Sequence, residues 1–151
     1  MTRWLNKEQQ KHWRAYLAMS TMLDEQLSRE LQADFGLTIT DYEILVRLSE
    51  SPCRNIRMSE LADQVMLSRS RLSHQIDRME KAGFVTRQAC PDDRRGQLAV
   101  LTDKGFKTLE DAAPNHVQGV RDHLVDLLSA EEYAALGRAA AKVAAHLDAL
   151  K

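Results

Sequence analysis

The sequence predicts a mainly α-helical fold carrying one small β-hairpin. Three observations predict it. Apolar residues recur at helical spacing along most of the 151-residue chain. Side chains that cap helices stand ahead of each such run. Two short β-prone runs, 84–89 and 97–101, flank a polar tip, Pro91-Asp92-Asp93-Arg94-Arg95-Gly96.

In the first helix Asn6 is the expected cap, with Gln9 reaching back. Trp13, Tyr16, Leu17, Ser20, Leu23, Leu27 and Leu31 follow at helical spacing, up to a break near Phe35-Gly36. That length is well above the mean of ~11–12 residues. A second helix starts at Thr38 or Thr40, since both begin a capping box. Its inner face is read as Tyr42, Leu45, Val46 and Ser49, and Pro52 stops it. Arg57-Met58 reads as a strand stub. Ser59 is the expected cap of a third helix over 60–66, with Leu61 and Val65 inward. Ser68 caps a fourth over 69–82, and Gly83 fits the position just past its end. Thr102 is the expected cap of a fifth helix. There Phe106, Leu109, Ala113, Val117, Val120, Leu124, Leu127 and Leu128 keep the period, and Pro114 should kink or restart it. The capping box Ser129-Ala130-Glu131-Glu132 opens a sixth.

Composition narrows the function. Hydrophobic residues make up 44% and charged residues 28%, so the chain is neither disordered nor fibrous. Two cysteines, Cys53 and Cys90, form no disulfide framework and no zinc set, which fits a cytoplasmic protein. The charged start, 1–11, lacks the apolar stretch of a signal peptide, and no apolar run approaches the roughly 18 residues of a membrane span. There is no Gly-rich phosphate loop, metal-ligand cluster or nucleophile elbow, and the five histidines are scattered. The expectation is therefore a non-enzyme with no cofactor and no metal.

Net charge is −1, but it is unevenly spread. Residues 1–53 hold 6 Lys/Arg against 8 Asp/Glu, residues 54–95 hold 9 against 6, and residues 96–151 hold 6 against 8. A basic middle between acidic ends localises any polyanion site to the middle.

That middle holds the chemistry. At 100° per residue, with Leu72 at zero, Ile76 falls at about 40° and Met79 at about −20°, a buried stripe. Ser70, Lys81, His74, Arg78 and Arg71 fall between about 160° and 260°, on the opposite face. In a helix-turn-helix the N-terminal part of the second helix reaches base edges. An arginine pair at a hairpin tip suits a narrow minor groove, where the negative potential is deepest. Asp93, two residues before Arg95, is placed to hold its guanidinium. The plainer alternatives are a solvated amphipathic helix and an ordinary charged turn.

The chain resembles the MarR family of bacterial transcriptional regulators. The resemblance runs through Met58-Ser59-Glu60-Leu61-Ala62, Leu67-Ser68-Arg69-Ser70-Arg71-Leu72-Ser73 and Asp77-Arg78-Met79-Glu80-Lys81-Ala82-Gly83-Phe84-Val85. It continues through Asp92-Asp93-Arg94-Arg95-Gly96 to Val100-Leu101-Thr102-Asp103-Lys104-Gly105. It implies a winged helix-turn-helix DNA-binding domain over 37–102, on a helical dimerisation region made of 1–36 and 103–151. The implied function is a sequence-specific double-stranded-DNA regulator, a repressor acting as a homodimer on a pseudo-palindromic operator. Its DNA-binding candidates are Ser68, Arg69, Ser70, Arg71, His74, Gln75, Arg78, Asp93, Arg94 and Arg95. Arg95 would enter the minor groove, Asp93 would support it, and Arg94 would meet phosphate. Many members have arginine where this chain has His74. A neutral imidazole has one donor and one acceptor and cannot make the bidentate arginine contact.

The resemblance also implies a small aromatic or anionic effector between the lobes, with His12, Trp13, Tyr16, Tyr42 and His116 as lining candidates. Some related regulators sense oxidants through a cysteine in the first helix; this chain has none there, and Cys53 and Cys90 read as incidental thiols. In the sixth helix Tyr133, Leu136, Ala140, Val143, Leu147 and Leu150 are spaced 3, 4, 3, 4, 3. That narrow seam favours packing on another helix, and a second copy is the expected partner. The alternatives to a ligand-released repressor are a ligand-independent DNA-binding regulator and a helical adaptor working through protein contacts.

Overall fold

The computed structural model describes all residues, 1–151. Six helices and a three-stranded sheet follow in the order α1 (Lys7–Phe35), α2 (Ile39–Glu50), β1 (Asn55–Arg57), α3 (Met58–Gln64), α4 (Arg69–Lys81), β2 (Val85–Ala89), β3 (Gln97–Leu101), α5 (Asp103–His123) and α6 (Ala130–Asp148). Short 3₁₀ turns lie at Pro52–Arg54 and Val125–Leu127. The mainly helical class with a small hairpin is therefore the observed one. The chain divides into two compact units, Met1–His116 and Val117–Lys151. The larger unit contains α1 and the first part of α5 as well as the whole of 37–102.

Caps set most element starts. Asn6 and Gln9 form the reciprocal box at α1, and Gly36 closes that helix in the left-handed region at φ 68°. Thr38, not Thr40, caps α2, exchanging hydrogen bonds with Asp41. Ser59 is not a cap: α3 begins one residue earlier, at Met58, directly out of β1. After α4, the Gly83 and Phe84 N–H groups donate back to the Glu80 and Met79 carbonyls, with Gly83 at φ 85°. That is the closure expected of Gly83. α5 runs unbroken past Pro114 but stops at His123. Leu124, Leu127 and Leu128 therefore lie beyond it, although they keep its apolar period, and Leu127 is exposed.

The core of the larger unit joins α1, α2, α3, α4, the sheet and α5. Leu37, Ile44, Leu45, Leu48, Leu61, Leu72, Ile76 and Val85 are fully buried there, with Leu31, Leu109 and Ala112 beside them. On α2 the inner face is Tyr42, Ile44, Leu45 and Leu48, while Val46 and Ser49 are only half-buried. The sheet order is β1-β3-β2, antiparallel throughout. β3 is central: Arg57 pairs with Leu98 on one side and Ala89 with Gln97 on the other.

Besides Leu109 and Ala112, two close contacts fix the first part of α5 in this unit. Gly105 lies so close to β2 that an added Cβ would stand 2.1 Å from the Phe84 carbonyl oxygen and 2.8 Å from Leu101 Cδ1. Further along, the His116 ring meets Tyr42 of α2, centroids 4.2 Å apart. His116 Nδ1 is buried without a protein hydrogen-bond partner. Burial pushes the imidazole below its usual range, outweighing the upward pull of Glu43 and Glu30.

Two stability outcomes are expected. Gly105→Ala should lose about 3 kcal/mol, because backbone blocks the new methyl, read as a lowered denaturation midpoint. The His116 imidazole is more basic unfolded than folded. Its contribution is therefore complete above about pH 6.5 and declines as pH falls below that, the unfolded chain binding the proton more readily. His116→Phe should flatten that part of the melting-temperature profile between about pH 7.5 and about pH 5; an unchanged slope contradicts the assignment.

Candidate nucleic-acid interface

The exposed face of α4 is built by its buried one. Leu72, Ile76 and Met79 are sunk in the core. Their burial turns Ser70, Arg71, His74, Arg78 and Lys81 outward, and all five are exposed. Ser68 caps the helix, its hydroxyl accepting from the Arg71 N–H at 3.2 Å. Ser68 and Arg69 are also exposed, at the start of the helix. Its first turn carries no acid.

α4 does carry acids later, Asp77 and Glu80, and one residue absorbs both. Arg87 of β2 places Nη1 2.6 Å from Asp77 Oδ1 and 3.3 Å from Glu80 Oε1. Its Nη2 donates to the Ser73 carbonyl and hydroxyl at 3.0 and 3.2 Å. The Arg87 backbone N–H donates to Glu80 as well, at 3.0 Å. Its side chain is 17% exposed, so this ion pair is less screened than an open surface pair. The helix is tied to the wing strand and both carboxylates are paired with Arg87, while Asp77 still lines the open groove together with Arg71, His74, Arg78 and Lys81. Sequence inspection did not single out Arg87. Its signal is weak: an arginine at the middle of a strand whose partners lie up to 14 residues back.

Gln75 is held differently from the other candidates on α4: it is 7% exposed and lies at the inner edge of the open groove that Arg71, His74, Asp77, Arg78 and Lys81 also line. Its amide nitrogen donates to Asp41 of α2, and its carbonyl oxygen accepts from Arg78. The physical reason is angular. Gln75 sits about 60° from Leu72, at the edge of the buried stripe, where a long polar side chain finds a partner on α2.

The wing tip carries Arg94 and Arg95, both exposed. Asp93 Oδ1 accepts the Arg95 backbone N–H at 2.9 Å, so Asp93 braces the turn through the main chain, where a bond to the guanidinium was expected. An i to i+2 spacing favours this Asx-type turn. Two further bonds set the loop, Gly96 N–H to the Asp93 carbonyl and Cys90 N–H to the Gly96 carbonyl, both 3.1 Å. Between the tip and the start of α4 lies an open groove bordered by Arg57, Ser59, Arg69, Arg94 and Arg95. Arg57 was not expected there. It arrives because β1 pairs with β3 at the base of the wing.

The five effector candidates do not line one cleft. Trp13 and Tyr16 stack on each other along α1, centroids 5.9 Å apart, and both are exposed, as is His12. Tyr42 and His116 meet in the core. The cavity beside His116 is bordered by Leu27, Glu30, Leu31, Asp34, Phe35 and Asn115, and its volume of about 10 Å³ suits a single water. Cys53 is exposed and Cys90 buried; both are free thiols. Cys53 lies past α2, in a turn where it and Arg54 have φ near 58° and 54°.

Known proteins share this architecture. Residues 37–96 match the model of the MarR family. The chain is 50% identical to AbsC, a MarR family transcriptional regulator from Streptomyces coelicolor, over 98% of this chain and 99% of that one, with a TM-score of 0.93. It is 46% identical to Sco3205, a MarR family regulator from the same organism crystallised with DNA, over 95% and 90% of the two chains, TM-score 0.93. The HTH-type transcriptional regulator MhqR of Bacillus subtilis is 26% identical over 122 residues, 79% of this chain and 77% of that protein. Identity of one half along nearly the whole length of both chains, on the same fold, decides the matter: this chain belongs to the MarR family of transcriptional regulators.

Proposed function

We propose that the protein is a homodimeric repressor that occupies a pseudo-palindromic operator in double-stranded DNA in the cytoplasm. The observation that carries this is the joint display of α4 and the wing. One scaffold, tied by Arg87, presents Arg71, His74 and Arg78 on a helix and Arg94 and Arg95 on a loop. A helix fits the major groove and an arginine tip the adjacent minor groove. Arg57, Arg69 and Ser59 border the path between them, where a phosphate backbone would run. The similar protein Sco3205 was crystallised with DNA, which supports the same role here. The role is recognition and regulation, not catalysis.

Dimerisation rests on apolar surface that the chain leaves open. α6 has no buried residue; Tyr133, Val143 and Leu147 of its seam are exposed, as is Leu150 just past its end. Trp4, Leu5, Trp13, Tyr16 and Leu17 are likewise exposed at and before the start of α1. Each of these helices leaves large apolar side chains without a partner, and a second copy offers matching surface for them. The cavity at His116 is far below the ~300 Å³ of a small-molecule site.

Selection from a pool of random duplexes should enrich an inverted repeat with half-sites about one helical turn apart. Against the enriched duplex, Arg95→Ala should weaken binding about tenfold and reduce the salt slope by about one. Unchanged affinity at every salt concentration excludes the wing contact. Val143→Glu with Leu147→Glu should convert a dimer to a monomer in sedimentation and abolish tight binding to the repeat. A wild-type chain that sediments as a monomer refutes the dimeric reading.

A further inference from the structure

We propose that Gln75 is a positioning residue for DNA readout: it fixes the guanidinium of Arg78 on the recognition helix by relaying the carboxylate of Asp41. The inference rests on the DNA-binding reading above and names the source of one side chain's orientation.

Arg78 is exposed on the basic face of α4, beside His74 and Arg71. A free arginine there would sample many rotamers before meeting DNA. Here one edge of its fork is engaged, Nη2 donating to the Gln75 carbonyl oxygen. The amide of Gln75 has one orientation that satisfies both neighbours, with nitrogen toward Asp41 and oxygen toward Arg78. Asp41 is itself held. Its second carboxylate oxygen accepts the Thr38 N–H at 2.9 Å, and its own N–H donates to the Thr38 hydroxyl at 3.1 Å. The chain of contacts thus starts at a capped helix end, passes through a buried amide and emerges at the groove. An amide is the side chain that serves at position 75. Glutamate would set a second carboxylate against Asp41, and an aliphatic residue would leave Asp41 and Arg78 without their shared partner. Arg78 keeps four of its five N–H donors for DNA.

The test is a double-mutant cycle on the duplex enriched above, with Gln75→Leu, Arg78→Ala and the pair. Gln75→Leu should weaken binding about tenfold and broaden base preference at the positions that Arg78→Ala relaxes. In the Arg78→Ala background it should change affinity by less than about twofold. An equal loss in both backgrounds, with thermal melting showing every variant folded, overturns the inference, because a merely structural role does not need Arg78. Gln75→Met replaces Gln75→Leu if the latter does not fold. A measurement on the unaltered protein stands apart from both. The Arg78 Nη protons, identified by their loss in Arg78→Ala, should show hindered rotation by NMR in the absence of DNA; freely averaged signals overturn the proposal. Failure to enrich any duplex refutes the DNA-binding reading itself, whereas enrichment with an additive cycle removes the role of Gln75 alone.

Discussion

Thr102 stands where four elements meet. Its N–H donates to the Phe84 carbonyl at 3.1 Å, and its hydroxyl donates to the Gly83 carbonyl at 2.6 Å while accepting the Gly105 N–H at 3.0 Å. The end of α4, the start of β2, the end of β3 and the start of α5 are referenced to one side chain. Gly105 completes the junction, since any larger residue would strike the Phe84 carbonyl. The Lys104 ammonium adds a bond to the Ala82 carbonyl at 2.8 Å, satisfying a carbonyl at the end of α4. The orientation of the helix toward DNA therefore depends on a hydroxyl and a missing methyl group, both remote from the basic surface.

From that junction outward, α4 is restrained on three sides. Leu72, Ile76 and Met79 hold it from beneath. Arg87 holds one flank through Ser73, Asp77 and Glu80. Gln75 holds the other through Asp41. These restraints also sort the charges. Arg87 offsets one of the two negative charges on α4, and Arg69, Arg71, Arg78 and Lys81, all exposed, outnumber the one that remains. A chain with a net charge of −1 can thereby present a cationic surface to a polyanion.

Much of this was legible in the sequence, for a common reason. The buried stripe of α4, the caps at Asn6, Ser68 and Ser129, and the closure at Gly83 all depend on residues within about a turn of one another. What was not legible depends on distant partners. Gln75 is a polar residue at a stripe edge, and nothing near it in sequence reveals Asp41. Arg57 joins the groove through strand pairing across the helix-turn-helix. The end of α5 was misplaced because Leu124, Leu127 and Leu128 keep an apolar period that the backbone does not follow. Asp93 was assigned to the wrong part of Arg95 because the same spacing serves a side-chain bond and a main-chain bond.

The restraints on α4 occupy its floor and two flanks, and they leave its crown alone. Arg71 and His74 face solvent, and no tether to the scaffold runs through their side chains. Substitutions at such surface positions usually shift stability by no more than about 0.5 kcal/mol. The residues that anchor α4 and the side chains at its crown are thus different residues of one helix. A gene duplicate of this protein can therefore drift at Arg71 and His74 without first acquiring a stabilising change elsewhere. His74, exposed at the middle of α4, is a position at which such divergence carries little cost to folding.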